Sequence, residues 1–321
     1  MLQRIDRFQD VHIHAAAIGT WNQTYTQISA GLLESSLVQI SNPRCHVFRE
    51  RINRRVVQHG EAPKDRVCFA LPIAVPGSAH MQGREADDKS LFFLRGGEEF
   101  MFHMPMDMDM LAITFDQRLF DECLASIPQA AKIECLLKQP VIKVPPGRLL
   151  ECRSRLLNLV SNALGDSTPQ EPPQGERALE AALLEELLVV LADPECDAGQ
   201  RQPGSTHSYI VEKLHRLTVN DAVNAPSIFE ASKRLHVSRR TVQNSFRTVA
   251  GTTPLNYLRS VRLNGVRREL MSTCSAEISI GDLASRWGFF HMSHFAEDYQ
   301  ELFNELPSQT PRTTLNKLRP N

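Results

Sequence analysis

The densest hydrogen-bonding chemistry in this sequence is a run of basic and amide side chains, Arg239, Arg240, Gln243, Asn244 and Arg247. They follow a serine and are interrupted by apolar residues at Val242, Phe246 and Val249. The apolar spacing of i, i+4 and i+7 predicts a helix with one buried face. The polar residues would then share the other face. Arginine can donate bidentately to guanine, and asparagine or glutamine can pair with adenine. An isolated basic residue usually belongs to a solvated helix face. Nine Lys and Arg against a single acidic residue over positions 227–268 are harder to explain that way.

The elements that must position these residues repeat. Residues 228–246 and 280–299 are each a short amphipathic helix, a turn and a second helix, the second with Phe295, Tyr299 and Leu302 on its apolar face. Ser232 and Ala284 fall where the paired helices must approach, and Gly288 and His236 where the turns require permissive backbone. Ser227-Ile-Phe-Glu230 and Ser279-Ile-Gly-Asp282 fit the capping-box pattern. Thr253-Pro254 predicts an N-cap followed by proline at the first helical position. In a helix-turn-helix unit the second helix enters the major groove and offers its N-terminal residues to base edges. The candidates in the second unit are His291, Met292, Ser293 and His294, with Glu297 one turn on. Trp287, Leu283 and Phe246 are expected in the core.

Charge and composition agree with this division. The net charge is −1, yet residues 206–321 carry 15 Lys and Arg against 10 Asp and Glu, while the rest carries 21 against 27. Such asymmetry suggests that one end meets a polyanion. The seven cysteines are dispersed with no C-x-x-C pair, which predicts free thiols rather than disulfides or zinc. No run reaches the roughly 18 apolar residues of a membrane helix, and the N-terminus lacks a signal-peptide core. The expected location is the cytoplasm.

Upstream, residues 20–115 read as short strands separated by Asn-Pro, Pro-Gly and Gly-Gly turns, which predicts an antiparallel sandwich or barrel. Helical period follows, with Leu149, Leu156, Leu157, Val160 and Leu164 on one face, and Leu179, Ala182, Leu183, Leu187 and Val190 on another. The segment 167–175 reads as a loop, and 194–205 as an interdomain linker. Gly96-Gly-Glu-Glu-Phe100 matches a signature of cyclic-dinucleotide synthases, but its place between strands favours a turn. Five methionines at 101–110 suit either a soft-metal loop or an adaptable apolar lining, the latter preferred. His12 and His14 have the spacing of a cupin metal pair without a following glutamate. No metal and no cofactor is expected. Trp21, Tyr25, Phe48, Phe69 and Phe92 are candidates to line an effector cavity, or ordinary core.

The motifs Ser238-Arg-Arg-Thr-Val-Gln, Gly251-Thr-Thr-Pro-Leu-Asn-Tyr-Leu-Arg, Asp282-Leu-Ala, Trp287-Gly-Phe and Ser293-His-Phe come in the order and spacing of the DNA-binding domain of the AraC/XylS family, which this region resembles over about a hundred residues. The resemblance implies two helix-turn-helix units (227–247 and 279–303) joined by one helix at 254–271, reading adjacent major-groove segments. It implies contact with RNA polymerase, usually as an activator. The N-terminal half resembles the family's cupin-type effector and dimerisation domain more loosely. The chain departs from the pattern at Glu297 and Gln300, where the family usually has basic residues, and at Asn304, where it usually has glycine. With Glu297 and Asp298 there, the second unit is expected to hold phosphate less strongly. Arg262, Arg267 and Arg268 are expected on phosphate, in water, or paired with Glu269.

The expectation is therefore an α+β protein: a β-sandwich or cupin-like barrel with flanking helices, then an all-α domain. The domains would be 1–193 for effector sensing and dimerisation, 194–205 as linker, and 206–321 for DNA. The expected function is a non-enzymatic, DNA-binding transcription regulator with promoter DNA, RNA polymerase, a small-molecule effector and a second copy of itself as partners. Helices near 149–164 and 176–192 would form the dimer. Two rivals are a cupin-type metal enzyme with a regulatory helical tail, and a ligand-independent regulator masked by a protein partner.

Overall fold

The computed structural model describes residues 1–165, 172–197 and 205–313. Residues 166–171 and 198–204, which include the first part of the expected loop (167–171) and most of the expected linker, lie outside the described residues. The remainder of that loop is helical, because α5 begins at Pro172.

The N-terminal half alternates short elements in chain order: β1 (Leu2–Phe8), α1 (Val11–Ala17), β2 (Asn22–Gln27), β3 (Ser35–Ser41), β4 (Cys45–Ile52), β5 (Val56–Glu61), β6 (Arg66–Ala74), β7 (Ala79–Met81), β8 (Arg84–Ala86), β9 (Ser90–Arg95), β10 (Glu99–Met104) and β11 (Met108–Asp116). Then come α2 (Gln117–Ala125), α3 (Ala130–Leu136), β12 (Val141–Lys143), α4 (Pro146–Gly165) and α5 (Pro172–Ala192). Seven strands form one antiparallel sheet in the order β1-β3-β4-β11-β6-β9-β12, and five form a second in the order β2-β5-β10-β7-β8. The α+β sandwich is as expected.

Strand β11 explains why the first sheet can be covered on both faces. Met108, Met110 and Ala112 pack between the sheets, while Leu111, Ile113 and Phe115 face α2–α5. A strand buried on both sides needs no polar alternation. The methionine run accordingly divides: Met104, Met108 and Met110 line the inter-sheet core, Met101 faces the C-terminal helices, and Met106 is exposed. Gly96 and Gly97 form the β9–β10 turn; a Cβ on Gly96 would lie 2.6 Å from Pro63 O, so backbone crowding requires the glycine.

The leucine stripe of α5 differs from its expected dimerising role. Leu183 and Leu187 are fully buried in the core shared with α4 and the seven-stranded sheet. The periodicity is real, but the partner it finds is the chain's own sheet.

The C-terminal half is helical: α6 (Thr206–Asn220), α7 (Ile228–Arg234), α8 (Arg239–Ala250), α9 (Pro254–Ser272), α10 (Ile280–Arg286) and α11 (Met292–Phe303). It is not separated from the sheets by solvent. Ile28, Val57 and Met101 complete the core of Val211, Val242, Phe246 and Tyr257. The Tyr257 hydroxyl lies 3.1 Å from His103 Nε2 and 2.9 Å from His215 Nδ1. None of the described helices is long and apolar enough to cross a membrane.

Candidate nucleic-acid interface

Local signals build the first unit. The Ser227 hydroxyl accepts from Glu230 N, and Glu230 Oε2 accepts from Ser227 N at 2.8 Å, closing a capping box on α7. Hydrogen bonds from the Ser227 N–H first, and then from its hydroxyl, hold the Glu230 carboxyl below its ordinary value. Ala231 and Ser232 are buried where α7 meets α8. The turn passes through His236 at φ +53°, a left-handed conformation that a non-glycine residue seldom adopts. Ser238 then caps α8 by accepting from Thr241 N at 3.0 Å.

Val242, Phe246 and Val249 face the core. The five residues expected to meet DNA, Arg239, Arg240, Gln243, Asn244 and Arg247, are all exposed. Their spacing makes two adjacent rows, 239–243–247 and 240–244, on the outer face. Phe229 was not anticipated from the sequence, where a phenylalanine in an amphipathic helix reads as core. It is 45% exposed, with Lys233 Nζ 4.3 Å and the Arg239 guanidinium 4.5 Å from its ring. Cation–π attraction therefore steers Arg239 toward α7.

The second unit is built alike, with differences. Ser279 Oγ accepts from Asp282 N at 3.1 Å, but the Asp282 carboxylate takes the Ser279 hydroxyl at 2.7 Å rather than completing the expected box. Aspartate is one methylene shorter than Glu230. Gly288 has φ +77°, and a Cβ there would meet Ala222 O at 3.1 Å. Gly265 on α9 lets the Trp287 ring lie against the helix, since a Cβ would stand 2.3 Å from that ring. Asn304 closes α11 at φ +59°, the left-handed position in which asparagine best substitutes for glycine.

Phe295, Tyr299 and Leu302 are buried, and His291, Met292, Ser293, His294 and Glu297 are exposed. Phe290 adds a 68% exposed ring beside His291, and an apolar pattern alone does not distinguish it from the buried Phe289. Helix α11 carries three acidic residues, Glu297, Asp298 and Glu301, of which Glu297 and Glu301 are exposed. Asp298 accepts from Arg259 Nη1 at 2.8 Å, tying α11 to α9.

Arg262, Arg267 and Arg268 depart from the sequence reading, the last half-buried, with burial lowering its pKa. Arg267 is 5% exposed and bonded to Asp10 Oδ2 and Glu305 Oε1, both at 2.6 Å. Arg262 lies over Phe289, 5.1 Å from its centroid, and burial lowers its pKa. Glu269 receives Trp287 Nε1 at 2.8 Å and stands 3.8 Å from Arg286. Long aliphatic stems let these side chains enter a core that their charge alone would forbid, which is why composition misplaces them.

The effector candidates converge only in part. Trp21, Tyr25, Phe48 and Phe92 surround a cavity of about 40 Å³ between the sheets. Phe69 borders it but packs on Phe93 and Phe120 in the opposite core. The polar end holds the buried Glu50, which accepts from Tyr25 Oη at 3.0 Å and Gln58 Nε2 at 2.9 Å. His14 Nε2 is 3.3 Å from Glu50, so this histidine is a core pair on α1. Among the described residues no group of three or more His, Cys, Asp or Glu is disposed to hold a metal.

A helix-turn-helix domain model matches residues 231–313. The XylDLEGF operon transcriptional activator of Pseudomonas putida is 42% identical over 76 residues, 24% of this chain and 24% of that protein. The probable thc operon regulatory protein of Rhodococcus erythropolis is 32% identical over 87 residues, 27% of this chain and 26% of that one. These alignments span about a quarter of the relatives' own length. A further relative, XylDLEGF operon transcriptional activator 2 of Pseudomonas putida, is 39% identical over 108 residues, covering 34% of this chain and 68% of its own. Among solved structures, the AraC-like transcriptional activator CuxR aligns over 82% of this chain and 94% of its own at 13% identity, with TM-score 0.45. With the capped double unit and these relatives together, the chain belongs to the AraC/XylS family of transcriptional regulators.

Proposed function

We propose that this chain regulates transcription by binding promoter DNA with α8 and α11 in neighbouring major-groove segments. The observation that carries this reading is the exposed face of α8, where Arg239, Arg240, Gln243, Asn244 and Arg247 stand opposite its buried apolar face. Arg240 and Asn244 are the base readers and Arg247 a phosphate contact. Arg239, drawn over Phe229, contributes at the edge. His291, Met292, Ser293 and His294 are the reading end of α11, and the exposed carboxylate of Glu297 weakens its hold on phosphate.

The XylDLEGF relatives are named operon transcriptional activators, which supports activation and contact with RNA polymerase. The division we propose is 1–193 for sensing and dimerisation, 194–205 as linker, and 206–321 for DNA, in a cytoplasmic homodimer with no catalytic step. Its effector is a small molecule. The inter-sheet cavity is far below the roughly 300 Å³ of an ordinary ligand site, so an effector there must displace side chains, with Trp21 the most accessible of the aromatics.

The test is a titration of a native and a scrambled site at two salt concentrations. Arg240→Ala should lose about 1–3 kcal/mol on the native site and little on the scrambled one. Glu297→Lys should tighten both and narrow the gap between them. Equal losses on both DNAs for Arg240→Ala, with a shallower salt slope, would make Arg240 an electrostatic anchor and overturn its role as a reader.

A further inference from the structure

Both recognition helices end against the same small piece of the N-terminal domain. At the end of α11, Glu301 O and Leu302 O each accept from the Gly31 backbone N–H at 3.1 Å, and Leu302 O also accepts from Gln27 Nε2 at 2.7 Å. At the end of α8, Arg55 Nη1 donates to Ala250 O at 2.8 Å. These donors are bound to one another. Ile28 N donates to Arg55 O at 2.8 Å, and Arg55 N donates to Ser29 Oγ at 2.9 Å. Gln27 Nε2 also reaches Ser29 O and Gly31 O.

The same segment grips the helix between the two units. Gln27 N donates to Asn264 Oδ1 at 3.0 Å while Asn264 Nδ2 donates to Gln27 O at 2.9 Å. The amide of Asn264 thus replaces a neighbouring strand along the free edge of β2, the outermost strand of its sheet.

The last carbonyls of a helix have no intrahelical donor and carry the negative end of its dipole. A guanidinium or N–H group placed there is stabilising and directional. Gly251 has given way to that contact: it closes α8 at φ +59°, and a Cβ on it would lie 1.8 Å from Arg55 Nη1. The exposed N-terminal ends of α8 and α11 are untouched by these bonds.

We infer that Gln27, Gly31 and Arg55 form a clamp through which the N-terminal domain holds the two recognition helices at a fixed separation, making them positioning residues for reading two DNA segments at once. This rests on the proposal that α8 and α11 read DNA. Two linked binding units gain affinity only when their separation matches that of their sites. A loosened clamp therefore weakens joint binding and leaves each unit's own contacts intact. The strand that ends in the clamp also carries Tyr25, hydrogen-bonded to Glu50 in the inter-sheet cavity. On β2 only Thr26 lies between Tyr25 at that cavity and Gln27 at the end of α11.

The experiment uses the full chain and duplexes selected from a random library by the wild type. Affinities are measured for the selected duplex, for duplexes with either half scrambled, and for one with two base pairs inserted between the halves. Arg55→Met, which keeps the packing of the stem, should bind the selected duplex roughly tenfold more weakly, stay within about twofold of wild type on the half-scrambled duplexes, and lose much of the preference for the original spacing. Arg55→Lys, which keeps a cation at the helix end, should recover most of both effects. If α9 alone sets the separation, Arg55→Met will keep the wild-type spacing preference, and the clamp is overturned. A uniform loss on every duplex also overturns it, because that is lost stability. Should Arg55→Met fail to fold, Ser29→Ala, which frees the Arg55 backbone, must flatten the spacing preference or the inference fails. The underlying reading fails separately, if scrambling either half leaves wild-type binding unchanged.

Discussion

Arg267 lies between carboxylates from both sides of the domain boundary, Asp10 before β2 and Glu305 after α11, and adds the Tyr299 hydroxyl at 3.2 Å. Asp10 has two duties: Oδ1 accepts from His12 N and Ile13 N at the start of α1, and Oδ2 takes Arg267. Burial pushes its carboxyl up, but Arg267 and the α1 N–H groups more than offset this and hold it below its ordinary value. Removing one partner of a buried ion pair leaves an uncompensated charge, at a cost of about 3–5 kcal/mol. Arg267→Met should lower the unfolding free energy in urea by that order. Asp10→Asn together with Arg267→Met should lose less than Arg267→Met alone, since asparagine still caps α1. Additive losses in the two variants would mean that the pair is not coupled. Sequence spacing put this arginine on the same helix as groove-facing cations and held no sign of a carboxylate 257 positions away.

Helix α5 poses a question that its sequence cannot answer alone, because a leucine stripe looks the same whether it meets a sheet or a second subunit. In the structure Leu183 and Leu187 are 0% exposed, whereas Leu150 on α4 and Val189 on α5 are 62% and 55% exposed. Leu183→Lys should therefore abolish the cooperative melt rather than release folded monomers, because a charge would enter a packed core. A folded Leu183→Lys variant of half the wild-type mass in analytical ultracentrifugation would return the stripe to the dimer interface. The C-terminal helices were legible because their signals are local: Ser227, Ser238, Thr253-Pro254 and the apolar faces of α8 and α11 mark ends and sides within a few residues. The strands from β3 to β11 that carry apolar runs were legible too. Strand β1 was not, since it lies at a sheet edge with both faces largely exposed. The three-residue strands β7, β8 and β12 are too short to establish a period of two.

At the scale of the whole molecule, what the sequence hid is the junction, since its contacts join residues more than 100 positions apart. Three buried or half-buried histidines meet there: His59 on β5, His103 on β10 and His215 on α6, the rings of His59 and His215 5.3 Å apart. Around them stand His80, Glu99, Glu212, Arg216, Tyr257 and Arg268. Burial drives the His103 pKa down to about 3, and burial reinforced by His59 and His103 takes His215 well below its ordinary value. Burial also lowers His59, and brings His46, inside the sandwich, to about 4. In the unfolded chain each would titrate near 6.5. The unfolded state therefore binds more protons at mildly acid pH. The stability these neutral histidines contribute is complete above about pH 6.5 and is lost as the pH falls toward the folded values. Each such histidine costs about 1.4 kcal/mol per pH unit in that window. The Asp10 carboxylate, with its folded pKa below 3.8, adds its loss only at lower pH. Urea unfolding between pH 7.5 and 5 should accordingly show stability falling with pH by more than one proton's worth, while His103→Gln should reduce the slope by about one proton below pH 6. Identical slopes for the two proteins would mean that His103 takes up its proton without leaving the junction, and that acid does not act there.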